Sequence, residues 1–317
     1  MEARKTRLIV RLSSLGDVVL SLAAVDPSWK TTYVVSKPYG ALIRGHPHVA
    51  SVVEFDRAGG LREWWRLSRE LADRKFDQVL DLHRNLRSRI LRLAFFVKGA
   101  SSQFRTVSKQ RFRFWAFLFL KEKLLPSLRP TRWVERYSEI GTGHAGTRPS
   151  LAHLVKSSDK RVAGRMGLMP SSRWPSKEFP LSLWRQVIQS WQGHEWVLFG
   201  LADDKGSRLL SAALRAENAV VIDGVGQWDL AQTAEKLASC ERLVSIDTGL
   251  AHIAEAVGTP VDMFFGPTHP DMGFGPWRPE SRVFGHALGC RPCGRDGRRC
   301  YRFWSKRACT KKTLLFV

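Results

Sequence analysis

With 317 residues, 44% of them apolar and 25% charged, the chain has the composition of a globular protein of about two domains, which excludes a peptide, a fibrous repeat and wholesale disorder. The net charge of +22 is concentrated: residues 84–136 hold fourteen Lys/Arg against two acids, residues 290–312 hold nine against one, and the remainder is nearly neutral. Two local surfaces thus seek polyanions, whether phosphorylated glycolipid, anionic membrane or nucleic acid, on an otherwise enzyme-like body.

After Arg4, Lys5 and Arg7 the apolar stretch from Leu8 is broken by Arg11 and Asp17, too early for a secretory signal. No run reaches the ~18 apolar residues of a spanning helix. The expectation is a cytoplasmic protein, at most peripheral to a membrane, and five cysteines, four of them in the last 28 residues, fit a reduced compartment.

Leu8–Leu12 reads as a short strand, Ser13–Gly16 as a turn, and Asp17–Val25 as a helix that Asp17 can cap. Strands are expected at Thr32–Val35, Val52–Phe55 and Gln78–Asp81, with a helix at Leu61–Arg74, and such alternation predicts a mostly parallel sheet. Residues 139–150 are rich in Gly, Thr, His and Pro and read as a linker. The stretch Gly141-Thr142-Gly143-His144-Ala145-Gly146 matches a dinucleotide-loop pattern, but no strand precedes it and Pro149 opposes a following helix.

The second half alternates again: helices at Ser182–Trp191, Asp204–Ala216, Leu230–Ser239 and Leu250–Val257, strands at Trp196–Phe199, Val220–Ile222, Leu243–Ile246 and Val261–Phe265. Domains of 1–148 and 149–317 follow, and two parallel α/β domains create a cleft at the carboxyl ends of facing sheets, where open α/β folds bind ligands.

Ser13-Ser14-Leu15-Gly16-Asp17 lies where a strand gives way to a helix; small residues there permit close backbone approach, and Asp17 is either a general base or a helix cap. Asp247-Thr248-Gly249-Leu250-Ala251-His252 repeats the placement. The helix N-terminus at Thr248–Leu250 suits a pyrophosphate, with His252 one turn along as a pocket residue or a core histidine. The Asp-Thr-Gly of aspartic proteases needs a second copy on a β-rich chain, and neither is present.

These segments carry a resemblance. Arg11–Val19 and Ser245–Pro260, followed by Phe265-Gly266-Pro267-Thr268, resemble the heptosyltransferases of glycosyltransferase family 9, as do Trp174–Pro180 and Asp77–Ser88. The resemblance implies an inverting, metal-independent transferase of GT-B architecture, with two Rossmann-like domains and no cofactor. It would move heptose from ADP-heptose to a lipid A–Kdo or heptose acceptor of the lipopolysaccharide core. Carried over, Asp17 is the base on the acceptor hydroxyl, beside Ser13, Ser14 and Gly16. Lys177 and the amides of Thr248 and Gly249 hold the diphosphate, Asp247 and His252 complete the donor pocket, and Asp204 stands near the ribose. Pro170-Ser171-Ser172-Arg173 departs from the family's Gly/Ala pair, and Asp26-Pro27-Ser28-Trp29 shortens the segment after the first helix. The chemistry agrees: a sugar hydroxyl needs a carboxylate to take its proton, and departing ADP needs positive charge. Other readings are a family 9 enzyme using another nucleotide sugar or acceptor, and a non-enzymatic polyanion-binding protein on the same fold.

Between Phe104 and Leu125 aromatic residues interleave with cations, which fits either amphipathic binding to an anionic membrane surface or a core helix with a basic face. In the resembled family this region faces the acceptor, so Arg105, Lys109, Arg111 and Arg113 are implied as acceptor contacts; His83 and Asn85, with Arg84, Arg87 and Arg89, read as a loop just beyond the strand ending at Asp81, which would face the cleft and also contact the acceptor. A nucleic-acid platform uses the same residue types, but the resemblance argues against nucleic acid. Trp29, Trp64, Trp65, Trp115 and Cys240 read as packing. Cys290, Cys293, Cys300 and Cys309 are either a structural four-thiolate metal site, such as zinc, or an iron–sulfur remnant, or else unligated or disulfide-linked cysteines.

Overall fold

The computed structural model describes residues 4–156, 161–191, 193–216, 220–286, 288–304, 306–311 and 315–316. The first apolar run forms strand β1 (Thr6–Val10), buried from Arg7 onward as the middle of a parallel sheet demands. The turn after it feeds helix α1 (Leu15–Ser21), which continues as one 3₁₀ turn at Leu22–Ala24. Strands β2 (Lys30–Ser36) and β3 (Ser51–Phe55), helix α2 (Gly60–Asp73), strand β4 (Gln78–Asp81), helix α3 (Leu86–Val97) and strand β5 (Gln103–Thr106) follow. Among the described residues the five strands pair in the order β3-β2-β1-β4-β5, all parallel. Leu8, Val10, Phe55, Trp64, Leu71 and Phe95 form the core beneath α2 and α3.

Helix α4 (Arg111–Leu120) and helix α5 (Trp133–Thr142) come next. Residues 139–142, expected in a linker, are therefore helical. Gly141 is the reason the helix fits: a Cβ there would strike the backbone of Ala24, so the first glycine of the dinucleotide-like pattern is a close-packing residue. The second sheet contains β6 (Arg165–Met169), β7 (Glu195–Leu198), β8 (Val221–Asp223), β9 (Arg242–Ile246), β10 (Val261–Phe265), β11 (Arg282–Gly285) and β12 (Leu315–Phe316). Their order is β12-β11-β10-β9-β6-β7-β8, parallel except for β12 against β11. Helices α6 (Leu181–Ser190), α7 (Lys205–Ala216), α8 (Leu230–Ala238) and α9 (Gly249–Val257) connect them, with a short α10 (Ala308–Lys311) near the end. The core joins Leu168, Trp184, Trp196, Leu198, Val244 and Phe264.

Met1–Lys109 with Trp133–Leu154 form one compact unit, and Gln110–Arg132 with Val155–Val317 the other. Helix α4 thus groups with the second sheet although it precedes the linker in sequence. Its Phe117 is buried with Leu124 and Met272 and meets the His269 ring edge-on at 5.3 Å. No helix of the described residues is long and apolar enough to cross a membrane. The end of the basic tail, at Lys312, lies outside the described residues.

Candidate active site

In a doubly wound sheet the order of strands reverses beside the first strand, and ligands bind in the crevice beyond the strand ends at that point. In the first unit this is between β1 and β4, and the segments leaving those strands carry Ser13, Ser14, Gly16, Asp17, His83 and Asn85. Ser14 is the N-cap of α1, and its hydroxyl and N–H donate to Asp17 Oδ2 at 2.8 and 3.3 Å. Asp17 therefore supports the cap from the third helical position, not from the cap position expected from sequence. It is 7% exposed, and the Arg11 guanidinium meets the same Oδ2 at 2.5 Å while also donating to the Leu82 carbonyl. Burial alone would lower the Arg11 pKa; Asp17, Tyr137 and Tyr33 outweigh it and hold the guanidinium above its ordinary value. One cation thus ties the Asp17 carboxylate to the end of β4.

The His83 and Arg84 N–H groups donate to Asp81 Oδ1 at 3.0 and 2.7 Å, and Arg84 sits in the left-handed region with φ 51°. Burial, with Arg11, Arg57 and Lys109 acting against the pull of Asp17, lowers the His83 pKa to about 3, so the imidazole is neutral. Its Nδ1 is buried with no hydrogen-bond partner among the described residues. Lys109 Nζ donates to the Arg84 carbonyl at 2.7 Å and so belongs to this crevice. Asn85 Oδ1 caps α3 by accepting the Ser88 N–H at 3.2 Å. Arg87 and Arg89, expected in a loop, lie in α3 instead, because Asn85 and Ser88 start a helix at Leu86. The Arg87 guanidinium is 5.6 Å from the Phe55 ring. Arg105 is exposed on β5, whereas Arg111 and Arg113 belong to α4 of the second unit, where Arg113 reaches the Arg129 carbonyl at 3.5 Å.

In the second unit the order reverses between β6 and β9. The segment after β6 ends in a 3₁₀ turn, Pro175–Lys177, and the segment after β9 is Asp247-Thr248, from which α9 starts at Gly249. Lys177 Nζ meets Asp247 Oδ2 at 2.7 Å and the Asp247 carbonyl at 3.3 Å, both side chains being 12% exposed. The Thr268 hydroxyl, at the end of the β10 strand's exit loop, donates to the same Oδ2 at 2.7 Å. Burial pushes the Asp247 pKa up, but Lys177, Thr268 and His252 together hold it below its ordinary value. Thr248 caps α9, its hydroxyl accepting the Leu250 N–H at 3.3 Å. The first N–H groups of a helix have no intrahelical acceptor and carry its positive pole, so an ordered cation and a helix N-terminus converge here.

His252 is 2% exposed and stacks on Trp277, ring centroids 5.7 Å apart and planes 16° from parallel. It lies in the core near enough to Asp247 to act on it electrostatically. Asp204 precedes α7, and its Oδ2 accepts the Leu201 N–H at 2.8 Å, closing the turn after β7. Burial holds its carboxyl above the ordinary range, with Asp203 adding to the effect and the Leu201 bond opposing it. Ser171, in the departure from the family pattern, is buried and bonded to Ser207 at 2.7 Å.

Cys290, Cys293, Cys300 and Cys309 form no disulfide, and the first three lie near enough to Cys309 to act on it electrostatically. Among the described residues no group of three or more His, Cys, Asp or Glu side chains is arranged to hold a metal ion. Cys240 is fully buried, consistent with packing. Three residues of the two crevices carry roles that sequence reading missed: Arg11, Thr268 and Trp277. Arg11 and Thr268 stand inside the quoted motifs, where a charge ending an apolar strand was a usable signal; Trp277 is distant in sequence from His252 and gave none.

The family model described as Glycosyltransferase family 9 (heptosyltransferase) matches residues 64–301. The chain is 25% identical to lipopolysaccharide heptosyltransferase 1 of Pseudomonas aeruginosa, over 90% of this chain and 85% of that protein. The fold is similar to that of Escherichia coli ADP-heptose LPS heptosyltransferase II, with a TM-score of 0.69 at 21% identity, covering 90% of this chain and 92% of that one. It is also similar to Escherichia coli heptosyltransferase WaaC with ADP, with a TM-score of 0.65 at 20% identity, covering 88% and 92%.

Proposed function

The chain belongs to glycosyltransferase family 9 and is a heptosyltransferase-family enzyme of GT-B fold, and on that premise we propose that it transfers heptose from ADP-heptose to the lipopolysaccharide core, with inversion and without a metal ion. The observation that carries this reading is the Lys177–Asp247–Thr268 network beside the N-terminus of α9. In the proposed reaction the acceptor hydroxyl gives its proton to the Asp17 carboxylate as its oxygen bonds to the anomeric carbon. The bond from that carbon to the β-phosphate oxygen breaks, and ADP departs with the electron pair. Lys177 and the helix amides at Thr248 and Gly249 meet the growing negative charge, supplying what a divalent cation supplies elsewhere. Asp247 and Thr268 fix the Lys177 ammonium, so little reorganisation is needed when the charge develops. His252 supports the donor pocket, and Asp204 lies at the strand end where a ribose is expected.

On the acceptor side, Arg11 aims Asp17, His83 and Lys109 belong to the same crevice, and Asn85 and Arg87 follow at the start of α3 as further acceptor contacts. Arg105, and on the second unit Arg111 and Arg113, add charge for lipid A or core phosphates. The excess of cations supports work at an anionic inner-leaflet surface by a cytoplasmic, peripheral enzyme. Mass spectrometry of a Kdo–lipid A acceptor and of a heptosylated one, after incubation with protein, ADP-heptose and EDTA, tests the proposal. A gain of one heptose on either supports it. No gain on both, with ADP still bound, moves the reading to another nucleotide sugar or acceptor.

A further inference from the structure

We propose that the second unit carries a two-pronged lipid-insertion surface, formed by the outer face of α4 and the loop at Tyr301–Trp304, that seats the protein on an anionic bilayer. It rests on the membrane reading above but not on the identity of the sugar or the reaction. Scattered exposed apolar residues need no explanation, whereas clustered ones rimmed by charge mark an interaction surface. Phe112, Trp115 and Phe119 follow one another along one face of α4 and are 84, 54 and 75% exposed. The opposite face buries Phe117, so the helix is inside out only where it meets solvent. Tyr301, Phe303 and Trp304 are 76, 88 and 95% exposed, a run of three large aromatic side chains that the fold leaves uncovered.

The loop is a tied projection. The Arg307 N–H bonds to Cys300 Sγ at 3.3 Å, and Ser176 Oγ donates to the Gly297 carbonyl at 2.5 Å. Lys121, immediately after α4, donates to the Pro292 carbonyl at 2.7 Å. The end of the helix is thereby linked to the segment that holds Tyr301, and the two prongs belong to one surface region. Lys123, Arg299, Arg302 and Lys306 are exposed around it. Aromatic rings enter the acyl boundary and cations meet lipid phosphates, so both features are satisfied by one partner, a bilayer containing anionic lipid. Cys300 and Cys290 thus serve this loop as acceptors, Cys300 for the Arg307 N–H and Cys290 for the Arg302 guanidinium.

The test is co-flotation of the full-length protein with vesicles of phosphatidylcholine alone or with phosphatidylglycerol. Wild type is expected to float with the anionic vesicles and to keep part of that binding at about 0.5 M salt, because ring insertion is not screened. Phe303→Ser/Trp304→Ser and Phe112→Ser/Phe119→Ser are each expected to weaken binding about tenfold or more, with the remainder lost in salt. All four side chains are exposed, so melting temperature and ADP binding serve as folding controls. Vesicle binding unchanged in both double variants, or absent in wild type, overturns the proposal. Loss of binding to a single-stranded oligonucleotide, with vesicle binding intact, would assign the surface to nucleic acid. A wild type that binds vesicles but transfers no heptose leaves this surface standing while the proposed reaction fails.

Discussion

Asp17→Asn and Asp17→Ala separate the carboxylate's charge from its place in the fold. Arg11 is 6% exposed and its ion pair with Asp17 measures 2.5 Å, so alanine strands a buried cation. Breaking a buried pair from one side costs about 3–5 kcal/mol, and loss of the capping bonds to Ser14 adds about 1 kcal/mol. In a unit of this size, about 3 kcal/mol corresponds to roughly 6–12 °C of melting temperature. Asparagine keeps an oxygen for Ser14 and Arg11, and its melting temperature should fall between those of alanine and wild type. Removal of a general base lowers turnover by about 10²–10⁴. Both variants should therefore lose at least about a hundredfold in kcat, measured by acceptor mass gain well below either melting temperature. ADP affinity by titration calorimetry should stay within about twofold, because Lys177 and Asp247 belong to the other unit. A folded Asp17→Asn that binds ADP and turns over at a near wild-type rate would place the base elsewhere.

Lys177→Ala should weaken ADP binding by about ten- to a hundredfold, the equivalent of one charge-assisted hydrogen bond, and lower kcat as well; unchanged ADP affinity would move the diphosphate away from Asp247. For His83 the folded pKa of about 3 lies below its ordinary 6.5. The folded state binds fewer protons than the unfolded one between those values, so this contribution is whole above 6.5 and is lost as pH falls towards 3. His83→Gln should flatten the melting-temperature profile over that window, and an unaltered profile would refute the burial argument. Gly141→Ala should cost about 1–3 kcal/mol by pressing on Ala24, seen as a lower melting temperature with ADP affinity intact; a loss of ADP affinity in the folded variant would revive the phosphate-loop reading of residues 141–146.

Alternation of apolar runs made both parallel sheets legible, and β4 and β10 fall on the residues read from sequence. Buried parallel strands need uninterrupted apolar residues, and that pattern is local. Strand β6 escaped because Arg165-Met166-Gly167-Leu168-Met169 is brief and interrupted, although Gly167 is required where a Cβ would crowd Leu243 and Phe199. Helix α3 escaped because its arginines resembled a loop, while its capping pair Asn85 and Ser88 was the local signal that could have revealed it. The two motifs ending in Asp17 and His252 were visible because helix starts have sequence signatures and because the order of segments carried the family.

What the motifs could not contain was their partners. Arg11 reaches the Leu82 carbonyl across 71 positions, and Lys177 reaches Asp247 across 70, because parallel strands distant in the chain end side by side. The sequence determined which residues carry charge and where helices begin. Only the tertiary structure decided which charge neutralises which, that α4 belongs with the second sheet, and that its aromatic face stays exposed. Those outcomes depend on burial and on contacts between segments far apart in sequence, and neither is encoded in local periodicity.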